Sequence, residues 1–489
     1  MLKPLATDKW NFATAAHLLN RAGFGGTPAE INHLAALGGE QAVEQLVDYH
    51  RVPDPTPDPE WAKPDPERWE RVRAIRQAPP DQRKELQRKE QRTQQVHLLE
   101  LRQWWLERMA KGPRPLQEKL VLFWHGHFAT SAQKVRDTYF MWRQNDTFRR
   151  LGDGNWRELL TAVAKDPAML VWLDQAQSRK EHPNENFARE VMELFALGEG
   201  HYSEKDIGEA ARALTGWTLN RVREEFEYRW AIHDTGIKTV LGRTGNLTGT
   251  DVMNEIAAQP QSARFITAKV WNFFAGEPPS EALTTALADE FRRGGSNFKP
   301  LLRMMFRSEE FYSPTVVNNE VKSPVQIMVN TVRTLERDLP PPFLATNLLR
   351  LLGQDLFAPP NVKGWDGGIN WITTNNLLNR YNLAAVLVLG RNAVPMVADR
   401  PGMAMMMEMG QLAGGPYGPA EVAKLFNPEE RSDRDALVAA MEKRFLQAPL
   451  KASQRETITE YLAKQETLGD SEIRHAIRLL MSTPEFQLT

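Results

Sequence analysis

Residues 184–217 read NENFAREVMELFALGEGHYSEKDIGEAARALTGW, and the recurrence of their apolar positions decides the fold class. At about 100° per residue, Phe187, Ala188, Val191, Met192, Leu194 and Phe195 fill one side of a helix that starts near Asn184. Glu185, Arg189 and Glu193 fall within an arc of about 80° on the other side, and Asn186 and Glu190 widen it to about 140°. Gly198 and Gly200 stop this helix. Ser203, three residues before Asp206, opens a second one with capping-box spacing, which makes Asp206 a structural cap. That helix runs to Gly216. So short a connection forces an αα-hairpin.

The same helical spacing extends outward. HLLNRAGFGGTPAEINHLAALGGEQAVEQLVDY, beginning at His17, reads as glycine-punctuated helices. Residues 52–66, VPDPTPDPEWAKPDP, can hold neither helix nor strand and read as an exposed linker or insertion. Residues 81–110 read as a charged helical arm whose first half has almost no apolar face. One stretch departs from this spacing. Phe226, Tyr228, Trp230 and Ile232 alternate with other residues before HDTG and IKTVLG, which predicts one small β-hairpin over about residues 226–241. The stretches 269–311 and 443–486 each read as three helices ending in Glu-Phe, offset by 174 positions at their starts and 175 at their ends, as a duplicated module would be. The expected architecture is mainly α: one compact multihelical domain over residues 1–489, with a central site-bearing region at 116–265.

Composition narrows the function classes. The 489 residues carry 61 Lys+Arg against 62 Asp+Glu, a net charge of −1, which argues against a general nucleic-acid binder. No cysteine is present, so disulfides, thiolate metal sites and cysteine nucleophiles are excluded. No apolar run is long enough for a membrane span. MLKPLATDKWNF lacks the apolar core of a signal peptide, and the expected compartment is the cytoplasm. No phosphate loop, GxSxG, HExxH or dinucleotide fingerprint occurs.

Four segments could carry chemistry. The polar face of NENFAR either makes weak Glu185–Arg189–Glu193 surface pairs, worth about 0.2–0.5 kcal/mol each, or lines a cleft where crowded carboxylates divide acid and base roles. On the second reading Glu185 and Glu190 are the acid/base candidates, with Arg189 and His125 orienting or stabilising charge. In WHGH an unbroken helix sets His125 and His127 on different sides. A break at Gly126 would let both converge with Glu193 on a divalent metal, the one cofactor alternative to none. His233, Asp234 and Lys238 of HDTGIK, together with Arg212 and Trp217 of ARALTGW, are candidates for binding substrate. NVKGWDGGINW adds Trp365, Asp366 and Trp371, flat aromatic faces beside polar groups in a glycine-rich loop. GMAMMMEM at 402–409 reads as a pliable apolar or partner-binding segment rather than a copper site, since no histidine or cysteine lies near it.

AHLLNRAGFG, PLQEKLVLFWHGHFATS, DPAMLVWLD, the NENFAR…LTGW block, HDTGIKTVLG, KSPVQ and GWDGG together resemble the bacterial domain-of-unknown-function family numbered eighteen hundred, from about residue 10 to the C-terminus. The resemblance implies a soluble, mostly helical bacterial protein and supplies no catalytic assignment. It also implies a possible extracytoplasmic setting, because relatives are often exported and encoded beside a sulfatase- or phosphatase-like family. The reading carried forward is a carboxylate-dependent hydrolase or lyase acting on a polar polymer such as a glycan. A non-enzymatic helical assembly partner of a neighbouring enzyme and a His/Glu metalloprotein are the alternatives.

Overall fold

A computed structural model describes residues 2–390 and 417–489; the Met-rich segment at 402–409 lies outside the described residues. The chain is mainly helical, with two small antiparallel sheets. Three helices, α1 (Phe12–Ala22), α2 (Pro28–Leu37) and α3 (Gly39–Val47), open the body. Asn11 and Thr27 cap the first two through reciprocal capping boxes. The exposed α4 (Arg68–Gln77) buries no residue, and in α5 (Pro80–Lys111) burial begins only at Leu99. The proline-rich segment before α4 has no regular structure, but it is strapped to α5 rather than hanging free. Trp104 Nε1 donates to the Pro57 carbonyl, Trp61 Nε1 donates to Glu100, and Arg108 pairs with Asp54.

The centre is built from α6 (Pro115–His127), α7 (Ala132–Val135), α8 (Thr138–Leu151), α9 (Trp156–Ala164), α10 (Pro167–Trp172), α11 (Glu185–Glu190) and α12 (Glu204–Leu214). Here α12 carries the expected Ser203–Asp206 capping box. Then follow α13 (Gly249–Ala258), α14 (Pro260–Ala275), α15 (Glu281–Arg293), α16 (Phe298–Arg307), α17 (Pro324–Thr334), α18 (Pro342–Leu351) and α19 (Thr374–Leu389). The two stretches compared above carry helices in the same order. The end of α14, with α15, α16 and a turn at Glu309–Tyr312, corresponds in order to helices Arg434–Phe445, Ala452–Ala463, Asp470–Met481 and Pro484–Gln487. Phe311 and Phe486, which close the two stretches, are fully buried.

The expected hairpin at 226–241 requires correction. β1 (Trp217–Asn220) pairs with β2 (Glu225–Tyr228), and β3 (Lys238–Val240) pairs with β4 (Arg243–Gly245). The extended run that begins at Glu225 therefore turns back on the chain before it, and Trp230–Ile232 coil into a 3₁₀ turn. Leu241 and Gly242, both at positive φ, supply the tight two-residue connection that joins β3 to β4.

Lys322 of KSPVQ is buried, and among the described residues its hydrogen-bond partners are neutral. Its Nζ donates to the Phe486 carbonyl at 2.9 Å and to Asn330 Oδ1 at 3.1 Å. Burial, with the nearby Arg380 guanidinium, pushes it from 10.5 to about 7. Burial also brings Lys119 down to about 8. Between pH 7 and 10.5 the unfolded chain then binds more protons at Lys322 than the folded one, so stability rises with pH across that window. Denaturant midpoints at pH 7 and 9.5 should show this rise, and Lys322→Met should shrink it; an unchanged slope refutes the assignment. Asp166, pushed by burial up to about 7, acts below that pH and in the opposite sense.

Candidate functional site

Helix α6 continues through Gly126 to His127, so the two histidines point apart. His125 Nε2 accepts the Phe357 backbone N–H at 3.0 Å, while the ring lies 5.2 Å from the Trp105 ring and 5.5 Å from that of Trp365. Burial pushes its pKa down to about 3, so the ring is neutral at physiological pH. A neutral ring does not stabilise charge as an imidazolium. On the other side, His127 Nε2 donates to the Phe195 carbonyl at 2.9 Å.

That carbonyl lies in the last turn of the NENFAR helix, where carbonyls have no intrahelical donor, and the helix changes pitch before it ends. After Glu190 the chain enters a π-helical turn, Val191–Ala196, in which Leu197 N–H reaches back five residues to the Met192 carbonyl at 2.8 Å. Buried residues recur at that five-residue spacing, Val191 with Ala196 and Met192 with Leu197. Three carbonyls at the C-terminal end of this helix find donors elsewhere: Phe195 at His127, Leu194 at Lys269 Nζ (3.4 Å) and Leu197 at Gln261 Nε2 (3.0 Å). Isolated π turns of this kind occur frequently at functional sites.

Glu190 and Glu193, three residues apart, are neighbours on this helix, both half-buried. Glu193 accepts the Tyr202 hydroxyl at 2.8 Å. Burial raises the Glu190 pKa, the Glu193 charge raises it further, and Lys363 and Arg189 act against both. Lys363 belongs to the glycine-rich loop. At the next position, Gly364 has φ +84°, and a Cβ there would lie 2.3 Å from the Gly126 carbonyl of α6. Backbone contact thus clamps the loop onto α6 and brings Lys363 and Trp365 to Glu190 and His125. Three of the four expected segments meet here.

The remaining expected residues are distributed differently. Glu185 is exposed and turned toward Gly208 of α12. Arg189 makes no ladder with Glu185 or Glu193; it pairs bidentately with Glu204 at 2.8 and 2.7 Å. Arg212 pairs with Asp234 at 2.7 Å and with Glu209 at 2.9 Å. Lys238 is buried and donates to the Gly236 carbonyl. His233 Nδ1 donates to the Thr215 carbonyl at 2.9 Å. Asp366 is exposed and Trp365 half-buried. Trp217 and Trp371 are interior, their faces covered by protein, so neither can stack on substrate. The cation reading of His125, His127 and Glu193 is corrected as well: among the described residues no three His, Cys, Asp or Glu are placed to hold a metal ion. Sequence reasoning missed Lys363. Its signal was a cation beside two glycine-flanked indoles, facing a carboxylate-rich helix.

Two cavities lie elsewhere. One of about 600 Å³ is lined by Arg333, Arg337, Asp338 and Tyr417, among others. A second of about 440 Å³ is lined by Trp10, Arg307 and Tyr312 among its residues. No residue of the Glu190 cluster lines either one.

A family model described as a protein of unknown function, DUF1800, matches residues 17–488. No curated protein and no solved structure matches the chain.

Proposed function

Because the chain belongs to the DUF1800 family, a family without an assigned activity, its function has to be argued from the site, and we propose a carboxylate-dependent hydrolase or lyase acting on a polar polymer such as a glycan. The observation that carries this reading is Glu190: a half-buried carboxyl with a raised pKa beside a second carboxylate. A glycosidic bond needs such a pair. In the hydrolytic form Glu190, protonated, gives its proton to the leaving oxygen as the carbon–oxygen bond breaks. Glu193, fixed by the Tyr202 hydroxyl, takes the proton of the water that adds to the sugar carbon. Lys363 and Arg189 balance the charge, and Trp365 offers a ring face to the sugar. The acid/base pair thus moves from Glu185 and Glu190 to Glu190 and Glu193, since Glu185 faces α12.

The test is release of new reducing ends or unsaturated products from neutral, acidic and amino polysaccharides. Glu190→Gln should lower the rate at least about a hundredfold while the thermal midpoint stays within a few degrees. Activity requires the protonated acid, so the rate should fall as pH rises through the Glu190 pKa. Glu193→Gln, which removes the base, should lower the rate about as strongly, and because it also removes a like charge its residual activity should show that limb at lower pH. Absence of product from every polymer class, or full activity in Glu190→Gln, overturns the reading.

A further inference from the structure

Around the 3₁₀ turn that follows β2, the surface is unusually apolar. Trp230 is 56% exposed, Ile237 65% and Tyr228 37%. The Trp230 indole rests on His233, ring centres 5.3 Å apart, and its edge meets Tyr228 at 6.1 Å. His233 is in turn held by the Thr215 carbonyl, and Gly216, at φ +86°, lets β2 and His233 approach more closely than a Cβ would allow. One indole face is thus supported from below and the other is open. Lys180 borders it, tied to the turn through its backbone N–H to the Ile232 carbonyl at 2.9 Å and its Nζ to the Ala231 carbonyl at 3.3 Å, and next in sequence to a second cation, Arg179. Both are exposed, and among the described residues neither forms an ion pair. The same loop leads directly into α11, where Asn184 N–H bonds Ser178 Oγ one residue before Glu185.

We propose that Trp230 and Tyr228, flanked by Lys180 and Arg179, form a stacking platform for a polysaccharide strand bearing carboxylates, and that this anionic polymer is the substrate class of the Glu190 site. The inference rests on the glycan reading above. An apolar ring face alone fits a protein partner equally well. The unpaired cations favour a ligand that alternates flat sugar faces with negative charge. The loop that carries Lys180 continues into α11, the helix that holds Glu190.

Binding is measured on the full-length Glu190→Gln protein, so that its outcome does not depend on cleavage, by calorimetry with polygalacturonate and with dextran as the neutral counterpart. Expected are binding of polygalacturonate, none of dextran at the same concentration, weakening with salt, and at least a tenfold loss of affinity in Trp230→Ala and in Lys180→Glu. Trp230→Phe should restore most of it, and Tyr228→Ala provides a second variant if Trp230→Ala misfolds. Equal binding of dextran, no loss in the platform variants, or a Trp230-dependent dimer seen by light scattering without polysaccharide binding each overturns the platform. The hydrolase reading fails separately, on the absence of cleavage products.

Discussion

Glu118→Ala is expected to cost about 3–5 kcal/mol of stability, the usual consequence of removing one partner from a buried ion cluster. Against a typical domain stability of about 5–15 kcal/mol, that is enough to unfold much of the protein at moderate denaturant. Glu118 lies on the inner side of α6, 2% exposed. Its two oxygens accept from Trp105 Nε1 at 3.0 Å, Arg108 Nε at 2.9 Å, and Arg149 Nε and Nη2 at 2.8 and 2.9 Å. Burial alone would push the carboxyl up; the guanidiniums of Arg149 and Arg108 outweigh it and hold the pKa below the usual glutamate value. Removing the carboxylate leaves Arg149, buried, with the neutral Asn145 amide oxygen as its hydrogen-bond acceptor and only the charges of Asp146 and Asp58 acting on it without direct contact, whereas Arg108 keeps Asp54. The stabilisation is present at neutral pH and lost as pH falls below the ordinary glutamate range through the depressed folded value. A guanidinium denaturation midpoint within about 1 kcal/mol of wild type would refute the argument. Trp105, which shares Glu118, also packs on His125, so the same cluster sets the position of the end of α6 that carries His125.

Most of this was legible where local rules operate, and the departures have identifiable physical causes. The wheel drawn on NENFAR is sound as far as Glu190, because α-helical pitch holds that far. Beyond it the π turn changes the pitch, and Glu193 sits beside Glu190 at three-residue spacing, under Tyr202. The carbonyls at the end of this turn accept hydrogen bonds from outside donors, His127 and Lys269, and no period in the segment itself announces them. Alternation over FEYRWAI correctly marks an extended chain at 225–228. Its partner strand lies upstream at Trp217, a pairing decided by how β1 leaves α12. Trp217 and Trp371 show the remaining ambiguity: a tryptophan beside glycine can be packed by the glycine as readily as displayed by it. At Gly249, a Cβ would stand 2.5 Å from the Trp217 ring, so this glycine is there to admit the indole. Convergence of α6, α11 and the 361–368 loop rests on backbone contact between two glycines 238 positions apart in sequence (Gly126 and Gly364), which neither segment reveals alone.

That contact makes Gly364→Ala the most disruptive small substitution at the site. At φ +84° a non-glycine residue already costs about 1–2 kcal/mol. The added methyl would also stand 2.3 Å from a carbonyl oxygen of α6, a backbone atom that cannot rotate away. The loop must lift, taking Lys363 from Glu190 and Trp365 from His125. Expected are a total loss of about 3 kcal/mol or more, at the upper end for single substitutions, a change in tryptophan emission, and loss of any activity that depends on Glu190. Two neighbouring substitutions separate the causes. Gly367→Ala and Gly368→Ala also begin at positive φ, +72° and +55°, but their Cβ positions meet nothing within 4 Å. They should show only the backbone cost and keep the emission unchanged. Gly126→Ala, whose Cβ likewise points into open space, should stabilise α6 by up to about 1 kcal/mol through helix propensity. If Gly364→Ala behaves like Gly367→Ala, the clamp is absent, and the three segments are held together by side chains alone.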